Sequence, residues 1–389
     1  MAYARRHQLL WTLLRPLARL VLKLKFNYSC GSHTPQGPFL LVCNHVTDWD
    51  PILVGAAFTP QMYFVTSEHL LRQGLVSRFI HWAQAPIARQ KGGSAAGTVK
   101  AMLRTLRDGR NVGLFPEGNR CWDGVTGDFP ASTAKLVKSS GASLVTFRLI
   151  GGYLANPRWA GTASRRGRMH GELVGVYSPE QLRTMSSGEI RDLIARDLRE
   201  DAYERQSTEN VAFRGKRLAE HLETLLFLCP KCGAMHRLRS RGDRFFCEAC
   251  GMSTRYTAAG LFEGGELPFD NVRGWNVWQT QKLQELCDAA GDGPIFTDSG
   301  FDLYRVHTAR SLERVGSGEL RLYRDRLELP GGVSLPLGSI AGMSLRGPSD
   351  LFIGTADASS FEVHSDDVRC TLKYLLACRY LGSPFEYAV

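Results

Sequence analysis

The stretch "CPKCGAMHRLRSRGDRFFCEAC" (229–250) constrains the fold more tightly than any other part of the chain. It sets Cys229, Cys232, Cys247 and Cys250 as two CxxC pairs with fourteen residues between them. Two tight thiol pairs separated by a hairpin's length of chain are the spacing of a four-thiolate, tetrahedral zinc site of the ribbon type. Unligated core cysteines have no need of paired spacing. Four thiolates close the coordination shell, so the zinc is expected to be structural rather than catalytic, and His236 is not expected to replace a ligand. The other cysteines are scattered, which argues against a disulfide scaffold and for a reducing compartment.

Charge divides the chain. Residues 1–225 carry 30 Lys+Arg against 18 Asp+Glu, while residues 226–389 carry 18 against 20. The whole basic excess therefore lies N-terminal and suits an anionic partner: phosphate, an acidic lipid surface or nucleic acid. Nucleic acid is disfavoured for the ribbon itself. Its "HRLRSRGDR" hairpin is basic, but stacking aromatics are few beyond Phe245 and Phe246, and the C-terminal half is net acidic.

"QLLWTLLRPLARLVLKLKF" (8–26) is apolar yet carries four charges between Arg15 and Lys25, too many for a spanning helix. Arg15, Arg19 and Lys23 share one side at i, i+4 and i+8; Leu13, Leu17, Leu20 and Leu24 recur elsewhere on the helix. The expectation is an amphipathic helix lying in the plane of an anionic membrane surface. The alternative is a terminal helix packed on its own domain with the basic face in water. No signal-peptide pattern is evident.

Between residues 37 and 152 apolar runs alternate with helical patterns: "GPFLLVCNHV", "DPILVGAAF", "QMYFVTSEHLL", "SRFIHWAQAPIARQ", "SAAGTVKAMLRTLRDGR", "NVGLFPEGNR" and "SGASLVTFRLIGG". The pattern predicts an α/β domain on a mostly parallel or mixed sheet, with functional residues at strand ends. Two strand-end loops carry chemistry. In "CNHVTDWDPI", His45 is a candidate general base, with Asp48 and Asp50 both near enough to orient it or merely to cap the following helix. In "FPEGNR", Gly118 allows a tight loop, Glu117 can order a hydroxyl or an arginine, and Arg120 can fork onto a phosphate. Arg89, after the third strand, offers a second cation.

"NHVTDWDP", "APIARQ", "LFPEGNR" and "SLVTFRLIGG" resemble, in order, the four sequence blocks of glycerolipid acyltransferases of the lysophosphatidic acid acyltransferase type. The resemblance spans roughly residues 35–220. It implies that His45, oriented by Asp50, deprotonates the free hydroxyl of a lyso-phospholipid. That hydroxyl attacks the thioester of acyl-CoA or acyl-carrier protein. It also implies that Arg89, Glu117, Gly118 and Arg120 form the acceptor site, and leaves Asp48 as a helix cap. The most direct acceptor is 1-acyl-sn-glycerol-3-phosphate; glycerol-3-phosphate or a lyso-aminolipid is the alternative. Two departures stand out: Asn119 and Cys121 replace the family's hydroxyl residues in the third block, and the fourth lacks its proline. A non-catalytic ribbon protein that binds nucleic acid or another protein is the competing class.

C-terminal to the ribbon, "VRGWNVWQTQKLQELCDAAG" predicts a helix ended by Gly291. Short alternating runs with turn signals follow, and "VRCTLKYLLACRYLG" predicts a closing amphipathic helix. Strands closed by a helix resemble a pleckstrin-homology-like module. The expected organisation is a basic membrane-surface helix (1–26), an acyltransferase domain (27–225), a zinc ribbon (226–258), and a helical linker with a β-rich domain (259–389). The expected location is cytoplasmic and peripheral on the membrane.

Overall fold

The computed structural model describes residues 2–67, 82, 85–89, 96–308, 311–346, 349–367 and 370–384. The helix start expected after "MYFVTS" and the helix expected in "SRFIHWAQ" lie outside the described residues, apart from Trp82.

Helix α1 (Ala2–Phe26) leads into the first sheet. Its strands are β1 (Tyr28–Cys30), β2 (Phe39–Cys43), β3 (Met62–Ser67), β4 (Ile87–Arg89), β5 (Asn111–Leu114), β6 (Ser143–Ile150) and β7 (Met169–Tyr177), in the spatial order β1-β7-β6-β2-β5-β3-β4. All neighbours are parallel except β6 and β7. The central strand β2 is buried along its whole length, as its uninterrupted "FLLVC" requires of a strand covered on both faces. Helices α2 (Asp50–Ala56), α3 (Ala96–Arg107), α4 (Ser132–Ser140) and α5 (Ser187–Leu198) accompany the sheet. Because β2 and β5 run parallel, with Val42 opposite Leu114, their C-terminal loops emerge side by side. Those are the two loops singled out from the sequence.

Helix α1 forms, but its faces are not arranged as expected. Arg15 and Arg19 turn inward onto main-chain oxygens. The Arg15 Nε donates to Ala56 O (3.0 Å), and Arg19 donates to Ala56 O (3.1 Å), Gly31 O (2.9 Å) and Cys30 O (2.8 Å). Ala56 ends α2, so both cations sit where a helix leaves carbonyls unpaired and partial negative charge accumulates. Trp11 inserts on the same side and donates to Phe58 O. The face left in solvent is apolar: Leu13 is 67% exposed, Leu17 58% and Leu24 65%.

Four short antiparallel strands follow: β8 (Leu238–Arg241), β9 (Arg244–Cys247), β10 (Ser253–Tyr256) and β11 (Phe262–Glu263). Helix α6 (Val272–Ala289), capped by the Asn271 side chain on the Gly274 amide, leads to a third sheet. Its seven strands are β12 (Phe296–Thr308), β13 (Ser311–Leu322), β14 (Arg326–Leu329), β15 (Val333–Pro336), β16 (Ile340–Arg346), β17 (Asp350–Thr355) and β18 (Ser360–His364). They pair antiparallel in the order β15-β14-β13-β12-β18-β17-β16. Helix α7 (Leu372–Tyr380) closes this part of the chain. It is buried on more than one face rather than amphipathic: Lys373 and Tyr374 are as inaccessible as Cys378. The Lys373 charge is met by Asp298 at 2.5 Å, and the Tyr374 hydroxyl donates to the same carboxylate at 2.7 Å. A buried cation survives only with such partners.

A single apolar cluster runs from Leu22 through Trp159, Phe245 and Trp275 to Cys378, so the regions read as separate in sequence share one core. Segment 213–228 has little regular structure and is tied to the ribbon by main-chain bonds, Phe213 to Ala258 and Ala219 to Gly242.

In the third sheet His364 lies between two acids, Nδ1 at 3.0 Å from Asp350 and Nε2 at 3.2 Å from Glu362. Those two carboxylates raise its pKa to about 9, against the opposing pull of burial. The raised folded-state value means the ion pairs stabilise fully below about pH 6.5 and are lost as pH rises through 9. Thermal melts should therefore show stability falling by about 1–2 kcal/mol between pH 7 and pH 10, with His364→Gln flattening that decline. An unchanged slope in the variant would mean that His364 is not the group responsible.

Candidate active site and cysteine cluster

Asp50 is fully buried at the start of α2, followed by Pro51 in the first turn. Its two oxygens gather four donors. Oδ2 takes the Val46 amide (2.6 Å) and His45 Nδ1 (2.7 Å); Oδ1 takes the Thr47 amide (2.9 Å) and the Thr47 hydroxyl (2.6 Å). With a carboxylate so placed, Nδ1 is the protonated ring nitrogen, and Nε2 is the one that keeps its lone pair. The imidazole is 21% exposed. Phe115 stacks on it at 4.7 Å between ring centroids, and Phe64 stacks behind Phe115 at 5.8 Å. Ring orientation is thus held by a hydrogen bond at one edge and an aromatic face on one side.

Asp48 does not cap α2. The cap position is Trp49, which makes no side-chain cap bond. Asp48 instead projects outward, 73% exposed, and accepts from Arg120 Nη1 at 2.9 Å. Arg120 is 8% exposed and also donates to Asn156 Oδ1 at 2.9 Å.

Glu117 also departs from expectation. The sequence reading has it order a hydroxyl or an arginine, and the resemblance places it in the acceptor site; in the structure its two oxygens accept from main chain, Oε1 from the His45 amide and Oε2 from the Gly127 amide, each at 2.7 Å. The residue is buried and braces the His45 loop through these main-chain bonds. Burial pushes its carboxyl up to about 8, with the two amides pulling it down and Asp50 pushing it further up. A return bond from the Cys121 amide to His45 O (2.9 Å) completes the brace, so the main chain of His45 is clamped on both sides by the "FPEGNR" region. Gly118 turns that loop at φ 67°, where a side chain would be strained. On the other flank Asn44 bridges the amide (2.8 Å) and carbonyl (2.9 Å) of Leu149.

Arg89 ends β4, at the same C-terminal edge of the parallel strands as His45 and the Arg120 loop. Burial lowers its pKa below the ordinary guanidinium value, and its buried Nε has no hydrogen-bond partner among the described residues. An unmet buried donor is costly, and an anionic ligand is the natural acceptor.

Sequence reasoning missed Phe115, Thr47 and the Asp48–Arg120 pair. Thr47 carries a readable signal, a hydroxyl three residues before the orienting acid. The stacking of Phe115 and the partner of Asp48 come from a loop about 70 residues away and have none.

The four cysteines of the two CxxC pairs come together, their sulfurs all within 4.8 Å of one another. Cys229 Sγ lies 3.7 Å from Cys250 Sγ, and Cys232 Sγ lies 3.9 Å from Cys247 Sγ. Four sulfurs about 2.3 Å from a tetrahedral zinc are about 3.8 Å apart, so the cluster fits that ion. Each pair is followed by a glycine at positive φ, Gly233 and Gly251, whose amides donate to Cys229 O and Cys247 O. His236 faces away, bonded to Lys373 and Asp298.

Residues 25–150 match the family model described as Acyltransferase. A curated relative, the 1-acyl-sn-glycerol-3-phosphate acyltransferase of Borreliella burgdorferi, is 27% identical over 112 residues, 28% of this chain. The match spans 44% of that relative's length. Among solved structures, the 1-acyl-sn-glycerophosphate acyltransferase PlsC of Thermotoga maritima aligns with a TM-score of 0.40 and 15% identity, covering 51% of this chain and 80% of that one. The matched region holds both loops and their His45–Asp50 pair, and residues 25–150 are accordingly an acyltransferase-family domain.

Proposed function

We propose that this protein transfers a fatty acyl group from a thioester carrier, acyl-CoA or acyl-carrier protein, to the free hydroxyl of a lyso-glycerophospholipid. The acceptor that the reading favours is 1-acyl-sn-glycerol-3-phosphate, which gives phosphatidic acid. The observation that carries the proposal is His45 Nδ1 held by Asp50, which leaves the lone pair on Nε2 of a partly exposed ring. His45 Nε2 takes the acceptor's hydroxyl proton as its oxygen attacks the thioester carbonyl. The C–O bond forms, the C–S bond breaks, and the leaving thiolate recovers the proton from the imidazolium. A thioester is already activated, so the enzyme need only assist the alcohol. Asp50 stabilises the imidazolium as it develops. Arg120 and Arg89 supply positive charge for the acceptor phosphate.

The pairing of Asp48 with Arg120 favours a second reading of the acceptor. An amine-bearing lyso-lipid would find a carboxylate at the rim of the site, whereas a phosphate monoester must compete with Asp48 for the same guanidinium. A panel of 1-acylglycerol-3-phosphate, glycerol-3-phosphate and lysophosphatidylethanolamine with radiolabelled acyl-CoA separates these acceptors. Labelled phosphatidic acid is the expected product. No acylation of any acceptor, from either thioester donor, would refute the function.

Among the described residues no helix is long and apolar enough to cross a membrane. The outer leucines of α1 support peripheral docking on the cytoplasmic face of an anionic bilayer, where the lipid acceptor resides. Arg5 and Lys23, also exposed on α1, would meet acidic headgroups. Replacing Leu13 and Leu17 with glutamate should cut cosedimentation with phosphatidylglycerol-containing vesicles by ~100-fold while leaving the melting temperature unchanged, since both side chains are largely exposed. Undiminished binding would exclude α1 as the docking element. The cysteine cluster is proposed to hold one structural zinc ion, which would supply no step of the reaction.

A further inference from the structure

The loop that carries Arg120 is gripped from the far end of the chain. Arg158 is the link. Its Nη1 donates to the carbonyl of Arg120 at 3.2 Å, and its Nη2 donates to the carbonyl of Leu345 at 3.0 Å. Leu345 lies on β16, the edge strand of the C-terminal sheet. Between these two bonds the Arg158 guanidinium lies 3.9 Å from the ring centroid of Trp122, two residues beyond Arg120. One planar group thus joins two carbonyls that are 225 residues apart in sequence and is fixed in plane by an indole. Two residues before Arg158, Asn156 accepts from the Arg120 side chain and donates to Ala163 O at 2.7 Å. A second tie comes from α6, where Asn276 Nδ2 donates to Asp123 at 2.9 Å.

We propose that the C-terminal half is a positioning element of the acceptor site, with Arg158 as the positioning residue that transmits the place of β16 to Arg120. The inference rests on the reading of Arg120 as an acceptor-phosphate ligand. Its physical basis is that a guanidinium recognises phosphate only from a fixed direction, and the direction of Arg120 is set at its own carbonyl as much as at its fork. A change that shifts β16 would alter acceptor affinity without touching His45. Lysine at 158 keeps the charge but cannot reach both carbonyls at once.

The test uses the full chain and the variants Arg158→Ala, Arg158→Lys, Arg120→Lys and the double variant R120K/R158A, assayed with 1-acylglycerol-3-phosphate. Arg158→Ala should raise the KM for this acceptor ~10-fold, leave kcat and the KM for acyl-CoA within about two-fold, and leave the melting temperature near that of wild type. Arg158→Lys should fall between. In the Arg120→Lys background Arg158→Ala should add nothing to the acceptor KM, because the residue through which it acts is already altered. An unchanged acceptor KM in Arg158→Ala, or a full ~10-fold further rise in the double variant, would overturn the coupling. If Arg158→Ala does not fold, Asn276→Ala reads the second tie by the same KM-against-kcat split, and no shift there overturns it equally. Calorimetric binding of 1-acylglycerol-3-phosphate to wild type and Arg158→Ala separates the two claims. Binding weakened by the variant, with no turnover in wild type, would sink the catalytic reading and leave the coupling standing. Turnover with equal binding would do the reverse.

Discussion

Replacing His45 with alanine should lower acyl transfer by ~10³-fold or more and leave the protein folded. The loop does not depend on the ring for its shape, because Asp50 retains the Val46 amide, the Thr47 amide and the Thr47 hydroxyl. The His45 main chain keeps its bonds to Glu117 and Cys121. What disappears is the proposed base, the lone pair on His45 Nε2. Asp50→Asn should cost nearly as much, ~10²–10³-fold in kcat/KM, for two reasons. The amide loses the charge that stabilises the imidazolium. Its NH2 end must also face donors, since all four partners of Asp50 donate. Asp48→Asn should change kcat/KM only a few-fold, because that residue is exposed and touches Arg120, not His45. Steady-state kinetics of the three variants checks the order. A greater loss at Asp48 than at Asp50 would mean that the wrong aspartate has been assigned to the histidine.

Removing the zinc proposed for the cysteine cluster should lower the melting temperature by about 10 °C, through the ribbon and everything packed on it. The ribbon is not an appendage. Trp275 of α6 donates to Leu228 O, the residue before Cys229, and Gln279 bonds both Phe227 N and Leu225 O. Phe245, between the cysteine pairs, packs edge-on against Trp275 at 5.5 Å. Without a bound ion, Cys229 and Cys247 are buried thiols with no strong partner, and the ribbon's short strands cannot hold by themselves. Elemental analysis should find one zinc per chain in wild type and none in Cys247→Ser. Prolonged chelation should reproduce the variant's lower melting temperature. Metal-free wild type with an unchanged melt would show the cluster to be dispensable.

His45 and its two candidate partners stand out in the sequence because they share one short loop before Pro51, but the choice of Asp50 over Asp48 comes from the family resemblance and not from spacing. The four cysteines likewise share one short stretch, 229–250. Asp48 could not be placed, since its partner lies 72 residues on, and spacing within a loop reveals only what the loop does to itself. Glu117 misled because its partners are main-chain amides, which leave no trace in residue identity. Helix α1 shows a third kind of limit. Its periodicity fixes that it is a helix but not which stripe turns inward, and the carbonyls of Ala56, Gly31 and Cys30 accept from Arg15 and Arg19 on the inner side. The α/β alternation gave the sheet's character, while the order that brings the β2, β5 and β4 ends to one edge arises only from packing. The closing helix reads as amphipathic in sequence, whereas the burial of Lys373 depends on partners distant in the chain, Asp298 and His236.

The most direct measurement is the rate of label transfer from radiolabelled acyl-CoA to 1-acylglycerol-3-phosphate, run side by side with purified wild type and His45→Ala of matched melting temperature. The expected result is labelled phosphatidic acid from wild type and at most a thousandth of that rate from the variant. Equal rates from the two proteins would contradict the assignment of His45 as the base on which the proposed reaction depends.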